Sequence, residues 1–285
     1  MQKISQFPCR IDYINFGIQL RIRSKTKISG NHIDEAVKGN LKLIIRGGVG
    51  VDNIDVDYAS SKGIPVRNVA GYSTDSVAQS TFMHILSLIG GGPYFDNSVK
   101  SGNYSRSGMF TDLNWTWWEL AGKTIGIIGM GNIGKKVAKI AEAFGMKVCY
   151  YSTSGTGHCT EYPCLTLEEL LRTSDVVSVH APLNERTLNL LGAREFAMMK
   201  PTAYVVNAGR GAIIVEADLA EAVDNGIIAG AGIDVFVQEP VPEDHPYLKM
   251  KHPERMRLAP HIAWASVEAR QRLVSMMADN VRKGW

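Results

Sequence analysis

Three glycines in the string Gly129-Met-Gly-Asn-Ile-Gly134 have the spacing of a loop that binds a diphosphate. They follow an apolar run directly and open a segment with helical periodicity, which is the context that this motif requires. Gly129 permits the turn from strand to helix, Gly131 lets a diphosphate approach the backbone, and Gly134 lets the helix pack closely on the strand. Free amides at the start of the helix, at Asn132 and Ile133, and the helix dipole would hold the anion. The string therefore predicts a dinucleotide site.

The next strand lacks the acidic residue that usually follows this motif. It ends at Ser152, Thr153 and Ser154, and the first acidic residue after them is Glu161. An Asp or Glu at the end of this strand accepts hydrogen bonds from the adenosine ribose of NAD. Without it, nothing there repels a 2′-phosphate, and three hydroxyls could donate to one, although no arginine lies nearby in the sequence to bind it strongly. We expect NAD(P)(H) with a preference for NADP(H), bound in part by Ser152 and Thr153; NAD(H) and dual use are the alternatives.

Arg210, Glu239 and His261 each follow a predicted strand, at the edge where open α/β folds bind ligands. Reduction of a 2-keto acid needs a cation that holds the carboxylate and polarises the ketone, and an acid that delivers a proton as hydride arrives from a nicotinamide. Arginine suits the first role because its planar guanidinium binds a carboxylate through two parallel hydrogen bonds. Histidine suits the second, and a hydrogen-bonded glutamate would favour its protonated form and fix its orientation.

Each of these three residues also has an ordinary structural explanation. Arg210 could form an interdomain salt bridge, Glu239 could be a solvated turn residue, and His261 could be a hydrogen-bonded structural histidine. Their occurrence together beside a dinucleotide motif favours the catalytic interpretation.

Strands alternate with helices from Gly122 onward. The predicted strands are Thr124–Ile128, Lys147–Tyr151, Val176–Val179, Ala203–Val206 and Ala231–Val235. The predicted helices between them are Asn132–Phe144, Leu167–Leu171 and Ala217–Asn225. This alternation predicts an α/β fold of the Rossmann type, with a doubly wound parallel sheet.

The first part of the chain contains a second set of elements. The run Leu41–Ile45 predicts a strand that ends in a glycine loop, and residues 54–63 and 64–68 predict a short helix and a strand. A long helix from Ser73 or Thr74 to Ile89 follows. Its expected apolar stripe consists of Val77, Phe82, Ile85, Leu86 and Ile89. Residues 94–120 form a polar and aromatic arm with Trp115, Trp117 and Trp118, which we expect to pack or to contact a second subunit.

Composition excludes several classes of protein. The chain of 285 residues has 31 Lys and Arg against 28 Asp and Glu, and this net charge of +3 is too weak to indicate nucleic acid or a membrane as a partner. A hydrophobic share of 45% excludes wholesale disorder, and the length favours about two domains. There is no signal-peptide pattern and no uninterrupted apolar stretch of about 18 residues. We expect a soluble, cytoplasmic protein.

The cysteines give no indication of a disulfide framework or a structural zinc site. Cys9, Cys149, Cys159 and Cys164 include no Cys-x-x-Cys pair. His158, Cys159 and Cys164 lack a fourth ligand, so a surface loop explains them better than a metal site. No metal is expected.

Six strings together resemble the D-isomer-specific 2-hydroxyacid dehydrogenases. They are RGGVGVDNID, GYSTDSVAQ, ELAGKTIGIIGMGNIGKKVA, NAGRG, GIDVFVQEP and PHIAWAS, and the resemblance runs from about residue 40 to residue 282. It implies that Arg210 binds the substrate, that His261 is the acid and base, and that Glu239 is its partner. It further implies that the backbone of Val49 and Gly50 holds the substrate carboxylate. The cofactor contacts that it implies come from Ala181, Pro182, Asn207, Ala208 and Asp234, the last on the nicotinamide amide.

Two residues bear on the substrate. Trp264 resembles the glycerate dehydrogenases, also called hydroxypyruvate or glyoxylate reductases, where it would close the pocket around a short acid. Arg46 resembles the phosphoglycerate dehydrogenases, where a cation meets the substrate phosphate, but those enzymes usually carry a small residue in place of Trp264. We expect reduction of hydroxypyruvate or glyoxylate, with D-3-phosphoglycerate as the alternative substrate. A corepressor-like, nucleotide-sensing binding module is the alternative of another class, and the presence of all three catalytic residues argues against it.

The resemblance also implies the domain organisation. A small flavodoxin-like substrate domain would comprise residues 1–69 and 265–285, with the dinucleotide-binding domain, residues 70–264, inserted into it. Substrate would bind in the cleft between them, and hinge closure would exclude water. Residues 1–20 and the C-terminal end depart from the family pattern, so we expect the small domain to be incomplete at both ends. A homodimer is expected through the helix Thr74–Ile89 and the arm after it.

Overall fold

The computed structural model describes residues 10–14, 17–22, 27–157 and 159–283. Its strands are β1 (Arg10–Ile14), β2 (Gly17–Ile22), β3 (Leu41–Arg46), β4 (Val66–Arg67), β5 (Thr124–Ile128), β6 (Lys147–Tyr151), β7 (Val176–Val179), β8 (Tyr204–Asn207), β9 (Gly230–Ile233) and β10 (Met256–Leu258). Its α-helices are α1 (Gly30–Lys38), α2 (Val56–Ser61), α3 (Thr74–Ile89), α4 (Gly92–Lys100), α5 (Asn103–Ser107), α6 (Asn132–Ala143), α7 (Leu167–Thr173), α8 (Ala193–Ala197), α9 (Glu216–Asp224) and α10 (Val267–Arg282).

The chain divides into two compact units, and each is described by itself. The smaller unit comprises Met1–Ser73 and Ala265–Trp285, and the larger unit comprises Thr74–Trp264. The division falls where α3 begins, whereas the sequence predicts a boundary between residues 69 and 70. Among the described residues, none of the helices is both long enough and apolar enough to cross a membrane.

The larger unit is built on a parallel sheet with the strand order β10-β9-β8-β7-β5-β6. Strand β5 lies between β6 and β7, so the direction in which strands are added reverses there. In open α/β sheets, ligands bind outside the carboxyl ends of the strands at this reversal. The glycine loop Gly129–Gly134 follows β5 and therefore lies at that point. The order and direction of the strands confirm the predicted Rossmann-type sheet.

Both faces of this sheet are buried, which explains why its strands are nearly continuous apolar runs. Ile125 and Ile127 of β5 pack into the cluster beneath α3 and α6, which includes Phe82 and Val137. Ile128 belongs to the opposite cluster, under α7, α8 and α9. Successive strand residues point to opposite faces, and each fully buried side chain of this size stabilises the fold by roughly 1.5–3 kcal/mol.

Helix α3 buries a broader face than the predicted stripe, with nine buried residues, but Leu86 is not one of them. Val77, Phe82 and Ile85 are buried, but Leu86 is 44% exposed, so its assignment to the inward stripe is wrong. Leu86 lies one position beyond Ile85 and is rotated about 100° from it around the helix axis. Met83, three residues before Leu86, is 59% exposed and lies on the same outer side.

The arm of residues 94–120 contains helical structure that the sequence does not reveal. Helices α4 and α5 occupy its first part, and the Trp115 ring stacks on Tyr94 with centroids 5.3 Å apart. Trp117 and Trp118 are 58% and 47% exposed. Trp115 is therefore a packing residue, whereas the two other tryptophans lie mainly at the surface.

The smaller unit has a four-stranded sheet in the order β1-β2-β3-β4. Strands β2, β3 and β4 are parallel, and β1 forms an antiparallel hairpin with β2. Helices α1 and α2 cover a small core that includes Ile33 and Ile44. Helix α10 joins this unit because Arg67 of β4 donates to the Asn280 carbonyl and Asn280 donates to that of Asn68.

Candidate active site

The glycine loop after β5 has the geometry that a bound diphosphate requires. Gly129 has φ +95°, and a Cβ there would lie 2.7 Å from the Ala181 nitrogen. A Cβ at Gly134 would overlap the Gly129 carbonyl oxygen, so only glycine lets α6 start this close to the strand. At Gly131, the N-cap of α6, a Cβ would meet nothing within 4 Å. An open backbone before the exposed amides of a helix start fits an anion.

The loop after β7 forms one wall of this site. The backbone of Ala181, which is buried, packs directly on Gly129, and Pro182 beside it is exposed. The carbonyl of Pro182 accepts a hydrogen bond of 2.6 Å from the Thr187 hydroxyl. Ala181 and Pro182 therefore border the glycine loop, which supports the prediction that they lie along the cofactor.

An imidazole that the sequence analysis does not single out precedes them. His180 Nε2 lies 2.8 Å from the Ser178 hydroxyl, while Nδ1 is buried without a hydrogen-bond partner among the described residues. Burial lowers the pKa of His180 to about 4, so the ring is neutral at physiological pH.

The loop after β6 contains the hydroxyls expected at the adenosine ribose. The Ser152 and Ser154 hydroxyl oxygens lie 3.0 Å apart, and Thr153 between them is partly buried. Arg186 from the loop after β7 donates a hydrogen bond of 2.8 Å to the Ser154 carbonyl. No arginine lies near this loop in the sequence, but the structure brings one to it.

His261 and Glu239 form a close pair. His261 Nδ1 lies 2.7 Å from Glu239 Oε2, and Glu239 Oε1 accepts a hydrogen bond of 2.9 Å from the Phe236 amide. Both carboxylate oxygens are therefore engaged, which fixes the side chain that in turn orients the imidazole. Because Nδ1 faces Glu239, Nε2 is the nitrogen left for proton transfer.

Asp234 holds the segment that follows His261. It is buried, and its carboxylate accepts hydrogen bonds from the amides of Ile262 (2.9 Å) and Ala263 (3.0 Å). Burial raises the pKa of Asp234 above its usual value. His261 itself has a left-handed backbone (φ +55°), a conformation that costs free energy and that neighbouring contacts must maintain. The predicted contact of Asp234 with a nicotinamide amide stays a prediction.

Arg210 lies in a compact turn after β8. Asn207, which ends β8, donates through its amide to the Arg210 carbonyl (2.9 Å) and accepts from the Gly209 amide (3.0 Å), while Ala208 between them is partly buried. A Cβ at Gly211 would overlap the Phe236–Val237 backbone. The turn that carries Arg210 therefore packs against the loop that carries Glu239. Through these contacts the loops after β8, β9 and β10 form one connected structure.

A second Glu–His pair, Glu216 and His245, holds the backbone of the loop after β9. Glu216 accepts from the Val237 amide (2.9 Å) through Oε1 and pairs with His245 Nε2 (3.0 Å) through Oε2. His245 is buried, and its Nδ1 accepts from the Tyr247 amide (3.2 Å). Since Nδ1 is an acceptor, the proton lies on Nε2 and points at Glu216. Neither residue can be recognised from the sequence, because neither belongs to a motif and they lie 29 positions apart.

The remaining predicted substrate residues occupy two places. In the smaller unit, Arg46 Nε donates to the Gly50 carbonyl (3.2 Å), and Asn68 donates to the carbonyl of Val49 (2.6 Å), so the glycine loop after β3 is internally fixed. In the larger unit, Trp264 is half-buried, directly after the segment that Asp234 holds.

The cysteines and possible metal ligands add no further site. Cys149 and Cys159 are buried and Cys164 is exposed, all three as free thiols, whereas Cys9 and His158 lie outside the described residues. No group of three or more His, Cys, Asp or Glu side chains in the described part of the chain could hold a metal ion.

Comparison with known protein families gives a match over most of the chain. The model of the D-isomer specific 2-hydroxyacid dehydrogenase NAD-binding domain matches residues 82–263. The chain belongs to this family. It is therefore an NAD(P)-dependent dehydrogenase of small 2-hydroxy acids, and the resemblance stated from its motifs is confirmed.

Three similar proteins have names that state their activities. A glyoxylate reductase of Aeropyrum pernix is 40% identical over 253 residues, which cover 85% of this chain and 72% of the relative. A D-3-phosphoglycerate dehydrogenase of Archaeoglobus fulgidus is 38% identical over 91% of this chain, but the match covers only 48% of that protein. The crystal structure of an NADPH-dependent glyoxylate/hydroxypyruvate reductase from Sinorhizobium meliloti, in complex with NADP and malonate, has a TM-score of 0.79 and 30% identity. It covers 93% of this chain and 79% of that one.

Proposed function

We propose that this dehydrogenase reduces hydroxypyruvate or glyoxylate, and oxidises D-glycerate in reverse. The observation that carries the proposal is the fixed His261–Glu239 pair, connected through the Phe236–Val237 backbone to the turn of Arg210. A cation and an oriented acid beside a dinucleotide loop are what reduction of a 2-keto acid needs.

Each of the three side chains has one role in this proposal. The Arg210 guanidinium binds the substrate carboxylate and draws electron density from the ketone. His261 Nε2–H donates its proton to the carbonyl oxygen as the carbon accepts hydride, so a C–H and an O–H bond form and the C=O π bond breaks. Glu239 stabilises the cationic imidazole before that transfer. The bound nicotinamide supplies the hydride.

The glycine loop and its neighbours hold the dinucleotide in this proposal. Gly131 and the first amides of α6, at Asn132 and Ile133, would hold the diphosphate, and Gly129 and Gly134 would permit its approach. On the β7, β8 and β9 side, the cofactor would be bordered by Ala181, Pro182, Asn207, Ala208 and Asp234. We further infer a preference for NADP(H), because Ser152 and Thr153 stand where NAD-selective loops place a carboxylate.

The choice of substrate depends on two residues, Trp264 and Arg46. Trp264 favours a short, unphosphorylated acid because a large aromatic side chain three residues after His261 would reduce the space for substrate. D-3-phosphoglycerate is the second candidate, favoured by Arg46 and by a relative of that activity. The Arg46 Nε is already used on the Gly50 carbonyl, so Arg46 also has a local structural role. Backbone binding of the substrate carboxylate by Val49 and Gly50 is part of the proposal.

We also infer a homodimer through α3 and the arm. Met83, Leu86, Val99, Phe110 and Trp117 are all exposed by 44% or more, and Phe110 by 88%. A cavity of about 320 Å³ lies among the arm residues, with Val99, Phe110 and Trp117 in its lining. Exposed apolar surface of this kind marks interaction sites in water-soluble domains, and a second copy would cover it. The cytoplasmic location expected from the sequence stays a prediction.

A panel of substrates tests the proposed function. Steady-state rates with NADPH are measured for hydroxypyruvate, glyoxylate and pyruvate, and oxidation of D-glycerate is compared with that of D-3-phosphoglycerate. We expect kcat/KM to be highest for hydroxypyruvate or glyoxylate. Exclusive turnover of the phosphorylated acid would refute the substrate assignment, and tight cofactor binding without any turnover would favour the binding-module alternative.

A further inference from the structure

We propose that Arg186 is the residue that recognises the 2′-phosphate of NADP(H), a proposal that rests on the NADP preference inferred above. The chain has no arginine within the loop after β6, where a phosphate-binding cation is usually sought. The structure supplies one from the loop after β7, and this cation determines cofactor specificity.

The position of Arg186 is set by contact with the ribose-side loop. Its Nη1 donates to the Ser154 carbonyl at 2.8 Å, and a Cβ at Gly155 would lie 3.2 Å from the same nitrogen. Strands β6 and β7 lie on either side of β5 in a parallel sheet, so the loops that follow them share one edge. The guanidinium therefore lies over the loop that holds the Ser152 and Ser154 hydroxyls.

The turn that carries Arg186 is internally hydrogen-bonded. The Arg186 amide donates to the Asn184 side chain (2.9 Å), and the Asn184 amide donates to the Thr187 hydroxyl (2.8 Å). Thr187 is fully buried, and its hydroxyl donates to the Pro182 carbonyl (2.6 Å). A cation on a rigid turn loses less conformational entropy on binding an anion than one on a mobile loop.

The charge of Arg186 is not cancelled by a carboxylate. Within the described ranges, no acidic side chain forms an ion pair with it, and Nη1 makes its one hydrogen bond to a neutral carbonyl. A guanidinium presents several N–H donors in a planar fork that matches a phosphate. The Ser152 and Ser154 hydroxyls donate to the Thr156 carbonyl, so the cationic donor that this loop offers to a dianionic group is Arg186.

Binding of two nucleotide fragments tests this role separately from catalysis. The dissociation constants of adenosine 2′,5′-bisphosphate and of 5′-AMP are measured by calorimetry for the wild type and for R186Q. The matched control is R194Q, because Arg194 is an exposed arginine on α8 of the same unit. We expect R186Q to raise the dissociation constant of the bisphosphate roughly 10- to 100-fold, which is the contribution of one charge-assisted hydrogen bond. The dissociation constant of 5′-AMP should change by less than about threefold. R194Q should change neither.

The outcomes distinguish the role of Arg186 from the preference for NADP(H) on which it rests. Equal weakening of both fragments by R186Q would show that Arg186 supports the loop or the adenosine, and would overturn the inference. An unchanged preference for the bisphosphate in R186Q would overturn it while leaving the NADP preference intact. Equal affinity of the wild type for both fragments would refute the NADP preference and the role of Arg186 together. A parallel comparison of kcat/KM for NADPH and NADH should follow the binding data, with R186Q reducing the NADPH value selectively.

Discussion

Glu239 Oε2 lies 2.7 Å from His261 Nδ1, and the other oxygen of the same carboxylate accepts from the Phe236 amide. The carboxylate thus connects the imidazole to the backbone of the loop after β9. That backbone also packs on Gly211, the residue after Arg210. Acid and cation are therefore positioned by one piece of structure, which reduces the reorganisation needed when substrate binds.

The first prediction concerns this pair. E239Q should lower kcat by about 10²-fold, because a neutral amide cannot stabilise a protonated imidazole. In addition, its NH2 group replaces one of the two oxygens that accept from the Phe236 amide and face His261. The affinity for the cofactor should change little, since Glu239 belongs to the loop after β9 and not to the glycine loop that holds the diphosphate. Steady-state kinetics and a binding titration with NADPH measure the two effects. A kcat within about twofold of the wild type would show that Glu239 has no part in proton transfer.

The Glu216–His245 pair predicts a positioning effect at a distance from the reacting atoms. Glu216 engages two donors with two oxygens. In E216Q the amide nitrogen must face either the Val237 amide or His245 Nε2–H, so one donor loses its acceptor. We expect kcat to fall about tenfold while KM for the cofactor stays within about twofold.

The exposed Glu243 provides the matched control for that experiment. E243Q should have wild-type kinetics and thermal stability. A loss of stability in E216Q without a change in kcat would show that the pair supports the fold but does not position Glu239.

His180 predicts a pH dependence of stability. Burial lowers its pKa to about 4 in the folded chain, against about 6.5 for an ordinary histidine. Between these values the unfolded chain binds a proton that the folded chain does not, so this group destabilises the fold progressively as the pH falls through that window. H180Q can keep the contact with Ser178 and does not titrate.

Urea unfolding at about pH 7 and about pH 4.5 measures this contribution. On acidification the wild type should lose about 2 kcal/mol more of its free energy of unfolding than H180Q does. Parallel pH profiles for the two proteins would show that His180 is not held neutral by the fold.

How far the sequence predicts this structure depends on the range of the contacts involved. Five strands of the larger unit and the glycine loop are predicted well, because apolar runs and glycine spacing are local patterns, whereas the short strand β10 is not predicted. Helices α4 and α5 are missed because their residues are polar and aromatic without a clear apolar stripe. Leu86 is assigned to the wrong side of α3 because an apolar residue at the margin of the buried face has the same pattern as an inward one, and Leu86 lies on the outer side with Met83.

The candidate site shows the same limit. Arg210, Glu239 and His261 are proposed from the sequence because each follows a strand in a familiar string, and their catalytic roles stay predictions. Arg186 is missed because its contact with Ser154 spans 32 residues and is created only by the strand order around β5. Glu216 and His245 are missed for the same reason, since their pairing depends on how α9 packs beside the loop after β9.

The exposed apolar residues predict an association of two copies. F110D should yield a monomer by size-exclusion chromatography with light scattering, because it buries a charge in the inferred interface. L248D, at a residue 51% exposed outside the arm, should leave the mass unchanged. A wild type that is monomeric at micromolar concentration would contradict the inferred dimer.

The central claim is that Arg210 and His261 act together on a small 2-keto acid. The most direct measurement is the rate at which wild type, R210A and H261Q consume NADPH in the presence of hydroxypyruvate, with binding of NADPH alone measured for each protein. We predict that both variants bind NADPH as the wild type does but lose at least about 10²-fold in kcat/KM for hydroxypyruvate. Turnover of hydroxypyruvate by either variant at the wild-type rate would contradict the account.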